Sequence, residues 1–207
     1  MQIKPGRHTI VLLGIGHTNA HVLRMWKMKP IANANLVCVS NFPVATYSGM
    51  LPGVLAGQYS PERMEIDLVR LCAAAGARLV VDSVSGLDRE KRRLEFANRP
   101  PLHYDLLSIG VGSRPSVQNV TVDDPNGLLS VKPMQTFLKR VTAQLASLAN
   151  RARPANIAIV GGGVGSIELA SCLKQRIETP SRESASPGLP HPTNLTLVTG
   201  ATAVGEA

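Results

Sequence analysis

Cysteine, aromatic residues and acidic side chains are all scarce in this chain, and each shortage removes a class of protein. There are three cysteines, Cys38, Cys72 and Cys172, far apart in sequence. They form no C-x-x-C and no zinc-ligand spacing, which argues against a disulfide scaffold, a redox-active close pair and any metal site. Three buried or inert thiols in a reducing compartment is the plain reading. Aromatics make up 3% of residues, and none interleaves the one dense basic cluster, "DREKRR" at 88–93. Strand-like runs flank that cluster, so it is expected to be a solvated hairpin turn with no nucleic-acid role. Acidic residues number 14 against 22 Lys and Arg, a net charge of +8. The excess is dispersed, which suits a charged nucleotide ligand without specifying one. Apolar runs such as "IVLL" and "ARLVV" fall far below the ~20 residues that span a bilayer, so no transmembrane segment is expected. The N-terminal "MQIKPGRH" lacks the apolar stretch of a secretory signal. A soluble, cytoplasmic protein is expected.

Hydrophobic residues reach 44%, enough for an ordinary core, and 207 residues suit one or two domains. "HTIVLLG" is a short β-branched run ending in glycine, a buried strand. "TNAHVLRMWKMK" follows with apolar residues at helical spacing and stops at Pro30. "ANLVCVSN" is the next strand, completing a β-α-β unit. "FPVATYSGMLPGVLAGQYSPERM" is expected to be an unusually apolar loop folded over something. "MEIDLVRLCAAAG" is helix-like, with Gly76 as C-cap. "ARLVVDSVSGLD", "RRLEFAN" and "LHYDLLSIGVGS" are three strand candidates. "KPMQTFLKRVTAQLASLANRA" is a long amphipathic helix. "NIAIVGGGVGSIELASCLKQRI" repeats the strand-turn-helix pattern, with the strand over 156–160 and the helix from about 164 to 177. Residues 179–193 are a Pro/Ser-rich loop, and "NLTLVTG" is a final strand over 194–198.

Two glycine turns therefore open two β-α-β units. A dinucleotide turn wants a first glycine for the bend and a second for close approach of the pyrophosphate. Its third position is small so that helix and strand can pack, and the helix N-terminus faces the phosphates. In the second turn Gly161 and Gly163 hold the first two places and Ser166 the third, with Gly162, Val164 and Gly165 between them and Glu168 just beyond. The first turn has Gly14 and Gly16, but Asn19 in third place with Ala20 beside it. Alone it also fits an ordinary strand-to-helix connection capped by Thr18 or Asn19. The carboxylate that clasps an adenosine ribose is missing from both units. Ser40 and Asn41 end the second strand of the first, and either can still bond a hydroxyl. Thr199 and Gly200 end that of the second, which leaves NAD and NADP both open. His17 and His21 flank the first turn; each is either a ligand contact or a helix-surface histidine.

The two turns, with "YDLLSIGVGSRP" between them, resemble the two-dinucleotide-binding-domain flavoproteins of the pyridine nucleotide–disulfide oxidoreductase superfamily. The stretch "YSGMLPGVLAGQYSPERMEIDLVRLCAAAGARLV" is most similar to flavoproteins of the type II NADH dehydrogenase kind, including those associated with selenide, water dikinase. The resemblance implies an α/β fold: a Rossmann-like parallel sheet with a small antiparallel β-meander, then the start of a second Rossmann-like domain. It implies an FAD-binding domain over 1–130, a connecting helix over 131–153 and the beginning of an NAD(P)-binding domain over 154–207. "IGVGSRP", with Gly110, Gly112, Ser113, Arg114 and Pro115, matches the strand exit toward the second domain. "ATYSGMLPG", with Tyr47 and Met50, is implied to lie near the isoalloxazine, and Val84 to offer its backbone to the adenine. Glu168 is implied to lie on the nicotinamide-side helix.

The implied activity is an FAD-dependent NAD(P)H oxidoreductase passing electrons to a small-molecule or quinone-like acceptor, without a redox dithiol. A homodimer is one possible assembly. The other class of function open to these residues is a nucleotide-binding module without turnover. Relatives of this family continue past the point where this sequence stops, so a fragment is expected. With a bare sheet in its second unit, it would bind NAD(P)H weakly and turn over slowly.

Overall fold

The computed structural model describes residues 8–116, 121–151, 154–178 and 193–200. The chain divides into two compact units, Met1–Tyr47 with Glu65–Arg114, and Ser48–Met64 with Pro115–Ala207. Residues 179–192, most of the expected Pro/Ser-rich loop, and the N-terminal 1–7 lie outside the described residues.

The first unit is built on four parallel strands: β1 (His8–Leu13), β2 (Ala34–Ser40), β5 (Arg78–Val81) and β9 (Leu106–Ile109), in the order β5-β2-β1-β9. Their residues are apolar on both faces, as a sheet covered on both sides requires. The period of two sorts them. Ile10, Leu12, Leu36, Cys38 and Leu79 meet Leu23 and Trp26 of α1 (His17–Met28) and Leu68 and Cys72 of α3 (Leu68–Ala74). Val11, Val37, Val39 and Val80 face the other way, onto Leu94, Phe96 and Leu102. Those three belong to an antiparallel meander of β6 (Val84–Asp88), β7 (Arg93–Phe96) and β8 (Leu102–His103). The expected α/β class, with a parallel Rossmann-type sheet and a small meander, is what folds. "DREKRR" is the β6–β7 hairpin turn: Asp88 accepts from the Lys91 N–H at 2.9 Å, and Arg92 takes a left-handed φ of 47°. Arg93 pairs with Asp88 and with Glu95 at 2.8 Å, so much of the basic cluster is internally neutralised.

Three expectations need correction. The apolar stretch from Phe42 to Met64 is not one loop. It holds β3 (Val44–Thr46), a 3-10 turn at Ser48–Met50, the short helix α2 (Leu51–Leu55) and a second 3-10 turn at Pro61–Met64. "MEIDLVRLCAAAG" is not all helix, since its start is β4 (Glu65–Asp67), antiparallel to β3. Asp67 then caps α3 by accepting from the Arg70 N–H at 2.9 Å, and Gly76, at φ 62°, closes it as expected. Finally, "ARLVVDSVSGLD" and "LHYDLLSIG" each split between two sheets. The first breaks at Asp82, whose carboxylate accepts from the Ser83 N–H and pairs with Arg99 at 2.8 Å. The second breaks at Asp105, whose carboxylate accepts from the Thr9 N–H at 2.6 Å. In both, a side chain captures a backbone donor and ends the ladder.

The second unit packs α4 (Met134–Ala149) and α5 (Val164–Glu178) with α2 against two parallel strands, β10 (Ala155–Val160) and β11 (Thr193–Val198). Met134, Phe137, Val141 and Leu145 line one side of α4 and share a core with Leu173 and Ile177. Arg176 ties the unit together, donating to the Leu55 carbonyl and to Thr142 Oγ1 at 3.3 and 3.2 Å. Ile157, Ile159 and Leu195 face this core, while Asn156, Ala158, Val160, Asn194, Thr196 and Val198 point outward. The expected strand-helix-strand is present, with each element within about one residue of its expected bounds.

Candidate functional site: two glycine turns

Each glycine turn leaves a parallel strand at its carboxyl end and starts a helix. The first sits between β1 and β9, where the strand order reverses. That crevice outside the carboxyl ends is where open α/β sheets take ligands. Gly14, at φ 76°, donates its N–H to the Val39 carbonyl at 2.8 Å, across to the end of β2. A Cβ on Gly14 would stand 2.7 Å from the Gly110 carbonyl oxygen and 2.7 Å from Val111 Cα. The turn is glycine because the chain leaving β9 crosses directly over it.

The second turn repeats the construction in the other unit. Gly161, at φ 135°, donates to the Val198 carbonyl at 2.8 Å, again across to the end of the neighbouring strand. A Cβ there would meet Ser166 Oγ at 2.8 Å, so the third-position serine packs against the first glycine. A Cβ on Gly162 would collide with Thr199 Oγ1, whereas Gly163 and Gly165 face open space. In both turns the two residues after the first glycine, Ile15 and Gly16 or Gly162 and Gly163, have N–H groups without a hydrogen bond among the described residues. Neither helix carries an acidic residue in its first turn. Unpaired N–H groups beside the positive end of a helix whose first turn carries no carboxylate suit an anion.

The remaining expected site residues fall as follows. His17, first in α1, stacks on Tyr47, ring centroids 5.2 Å apart; both are exposed. Asn19 is buried and turns its side chain inward, while Ala20 is half-buried on α1 and His21 is exposed. Ser40 accepts from the Phe42 N–H at 3.3 Å, and Asn41 beside it is exposed. Met50 is half-buried against the second unit's core. Val84 opens β6 and packs on the meander side of the sheet. Gly112, at φ 76°, with Ser113 and Arg114, follows β9 on the surface. Val164 and Glu168 are exposed on α5.

The structure also brings in Ser108, which is not among the expected site residues, and gives Gly110 of the expected strand exit a further part. Ser108 on β9 bonds Asn19, and Gly110 is the residue that crosses Gly14. Only the pairing of β1 with β9 reveals these contacts. Cys38 and Cys72, set apart by their spacing, meet in the core. A hydrogen bond to the Cys72 sulfur, together with burial, pushes the Cys38 thiol far above its usual range. Burial and the charge of Glu168 raise Cys172. Among the described residues no cluster of His, Cys, Asp or Glu could hold a metal, and no helix is long and apolar enough to cross a membrane.

No protein-family model matches the chain. The NADH dehydrogenase-like protein YutJ of Bacillus subtilis (strain 168) is 27% identical over 169 residues, covering 80% of this chain and 45% of that protein. The chain thus spans less than half the length of this curated relative. Among solved structures, the sulfide:quinone oxidoreductase of Aquifex aeolicus superposes with a TM-score of 0.67 at 16% identity, over 93% of this chain and 43% of that one. NDH2 from Plasmodium falciparum in complex with NADH gives 0.67 at 18% identity, over 84% and 38%. The Bacillus anthracis CoADR-RHD gives 0.69 at 16% identity, over 98% and 34%. The two glycine turns, the strand order that reverses at the first of them and these likenesses together show that the chain has the fold of the pyridine nucleotide–disulfide oxidoreductase superfamily, and its sequence resembles that of an NADH dehydrogenase-like protein.

Proposed function

We propose that the chain forms the nucleotide-binding part of an FAD-dependent NAD(P)H oxidoreductase, with FAD at the first turn and NAD(P)H at the second. A small-molecule or quinone-like acceptor takes the electrons. The observation that carries this reading is the repeated backbone construction. In both units the first glycine donates to the end of the adjacent strand, and the next two N–H groups have no hydrogen bond among the described residues. One such turn suits any single-cofactor dehydrogenase; two suit a donor nucleotide and a second, resident one. The sequence likeness to an NADH dehydrogenase-like protein supports the same assignment.

The donor sets fit the proposed groups. At the first turn the N–H groups of Ile15 and Gly16 and the start of α1 hold the pyrophosphate, and Ser40 and Asn41 stand at the strand end that carries the ribose clasp. The exposed His17–Tyr47 stack offers a flat surface beside the turn. At the second turn Gly163, with no atom within 4 Å of its Cβ direction, admits the closest approach of a pyrophosphate. No carboxylate at Thr199 or Gly200 repels a 2′-phosphate, so NADH and NADPH both suit the site. A bound flavin supplies hydride acceptance from the nicotinamide and onward electron transfer; the protein supplies position and electrostatics.

The test is the flavin content of the purified chain after incubation with FAD, followed by anaerobic addition of NADH. Flavin retained and bleached by NADH supports the proposal. A chain that takes up NAD(P)H but no FAD overturns it in favour of a simple nucleotide-binding module.

A further inference from the structure

Dinucleotide turns want a small residue in third place, where helix and strand approach closely. This chain puts Asn19 there. The side chain is 1% exposed, and both ends of its carboxamide are engaged. Nδ2 donates to the Gly14 carbonyl at 2.7 Å, and Oδ1 accepts from the Ser108 hydroxyl at 2.9 Å. A Cβ on Gly110 would stand 2.7 Å from Nδ2, so glycine at 110 is what lets the amide fit. The Gly110 N–H in turn donates to the Leu13 carbonyl at 2.7 Å. One side chain therefore joins the start of α1, the end of β1 and the end of β9, the three elements that bound the crevice.

The direction of the first bond matters. In a trans peptide the N–H points opposite to the C=O. Holding the Gly14 carbonyl on Asn19 fixes the Ile15 N–H on the other side of the Gly14–Ile15 peptide, where it meets no acceptor among the described residues. A buried amide with both ends paired is also costly to displace, because truncating it strands the Gly14 carbonyl and the Ser108 hydroxyl.

We propose that Asn19 is a positioning residue for the dinucleotide at the first turn. Its carboxamide, and not the smallness of the side chain, sets the separation of the turn from the chain crossing over it, and so aims the Ile15 N–H at the pyrophosphate. This rests on the reading of the first turn as the FAD site. The decisive variant is Asn19→Ala, which restores the small residue of an ordinary dinucleotide turn. If smallness is what the turn needs, FAD binding is kept or improved. If the clasp is what it needs, FAD affinity falls about tenfold or more. Ser108→Ala, which removes one of the two bonds, should weaken FAD by less, and Ser108→Thr, which keeps the hydroxyl, should restore it. Amide hydrogen exchange in the full chain without FAD supplies the second measurement. Asn19→Ala should speed exchange over 109–112 and leave β2 and β5 at wild-type rates. Asn19→Ala protein with FAD affinity within about twofold of wild type, or with unchanged exchange over 109–112, overturns the proposal. Wild-type protein that takes no FAD defeats the reading of the turn instead, and the exchange measurement then still decides whether Asn19 holds the crossing.

Discussion

Replacing Gly14 by alanine should be among the most damaging single-methyl changes available in this chain. Two independent costs meet there. At φ 76° any L side chain is strained, at roughly 1–2 kcal/mol. The added Cβ would also stand 2.7 Å from the Gly110 oxygen, 2.7 Å from Val111 Cα and 2.8 Å from the Gly110 carbonyl carbon. All three are backbone atoms, so no side-chain rotation relieves the clash. The crossing must move, at the expense of the 2.7 Å bond from Gly110 to Leu13 and of the Asn19 clasp. Overpacking of this kind costs about 1–3 kcal/mol, which brings the total to about 3 kcal/mol, a large part of a domain's usual 5–15. The assay is built into the sequence. The chain has one tryptophan, Trp26, buried in the core of the first unit, so its fluorescence during urea unfolding reports that unit alone. Gly14→Ala should lower the extrapolated stability by about 3 kcal/mol with little change in slope. A loss below about 0.5 kcal/mol, the range of an ordinary surface change, would refute the reasoning that the crossing chain and the left-handed turn dictate glycine.

Gly163→Ala makes the opposite expectation: no atom lies within 4 Å of the new methyl, so stability should hold within about 0.5 kcal/mol, while NAD(P)H affinity, read by fluorescence titration, should fall if a pyrophosphate approaches that backbone. Cysteine labelling of the native protein should mark Cys172 first, because it alone of the three is only partly buried; Cys38 and Cys72 should label together and only as urea unfolds the first unit, and early labelling of either would contradict their place in the core.

Much of the organisation is present in the linear order of residues. Short β-branched runs, each followed by glycine and a helical repeat, specify both β-α-β units, because the periods of strand and helix differ and glycine alone tolerates the turn between them. The hairpin at "DREKRR" is equally local, since it rests on an Asp88 cap and nearby charge pairing. Other features depended on which distant segments met. "ARLVVDSVSGLD" looks like one strand, and its division between two sheets at Asp82 follows from the pairing of β5 with β2 and of β6 with β7. Cys38 and Cys72 touch because the period of two aims Cys38 at the helical layer just where α3 lies. Asn19 looks like a flaw in a dinucleotide turn. Its worth appears only when β9 pairs beside β1 and brings Ser108 and Gly110 within reach of its amide. Periodicity and turn chemistry act over a few residues and can be read from them. Strand neighbours separated by some ninety residues are chosen by burial of the whole sheet, and that is settled only in three dimensions.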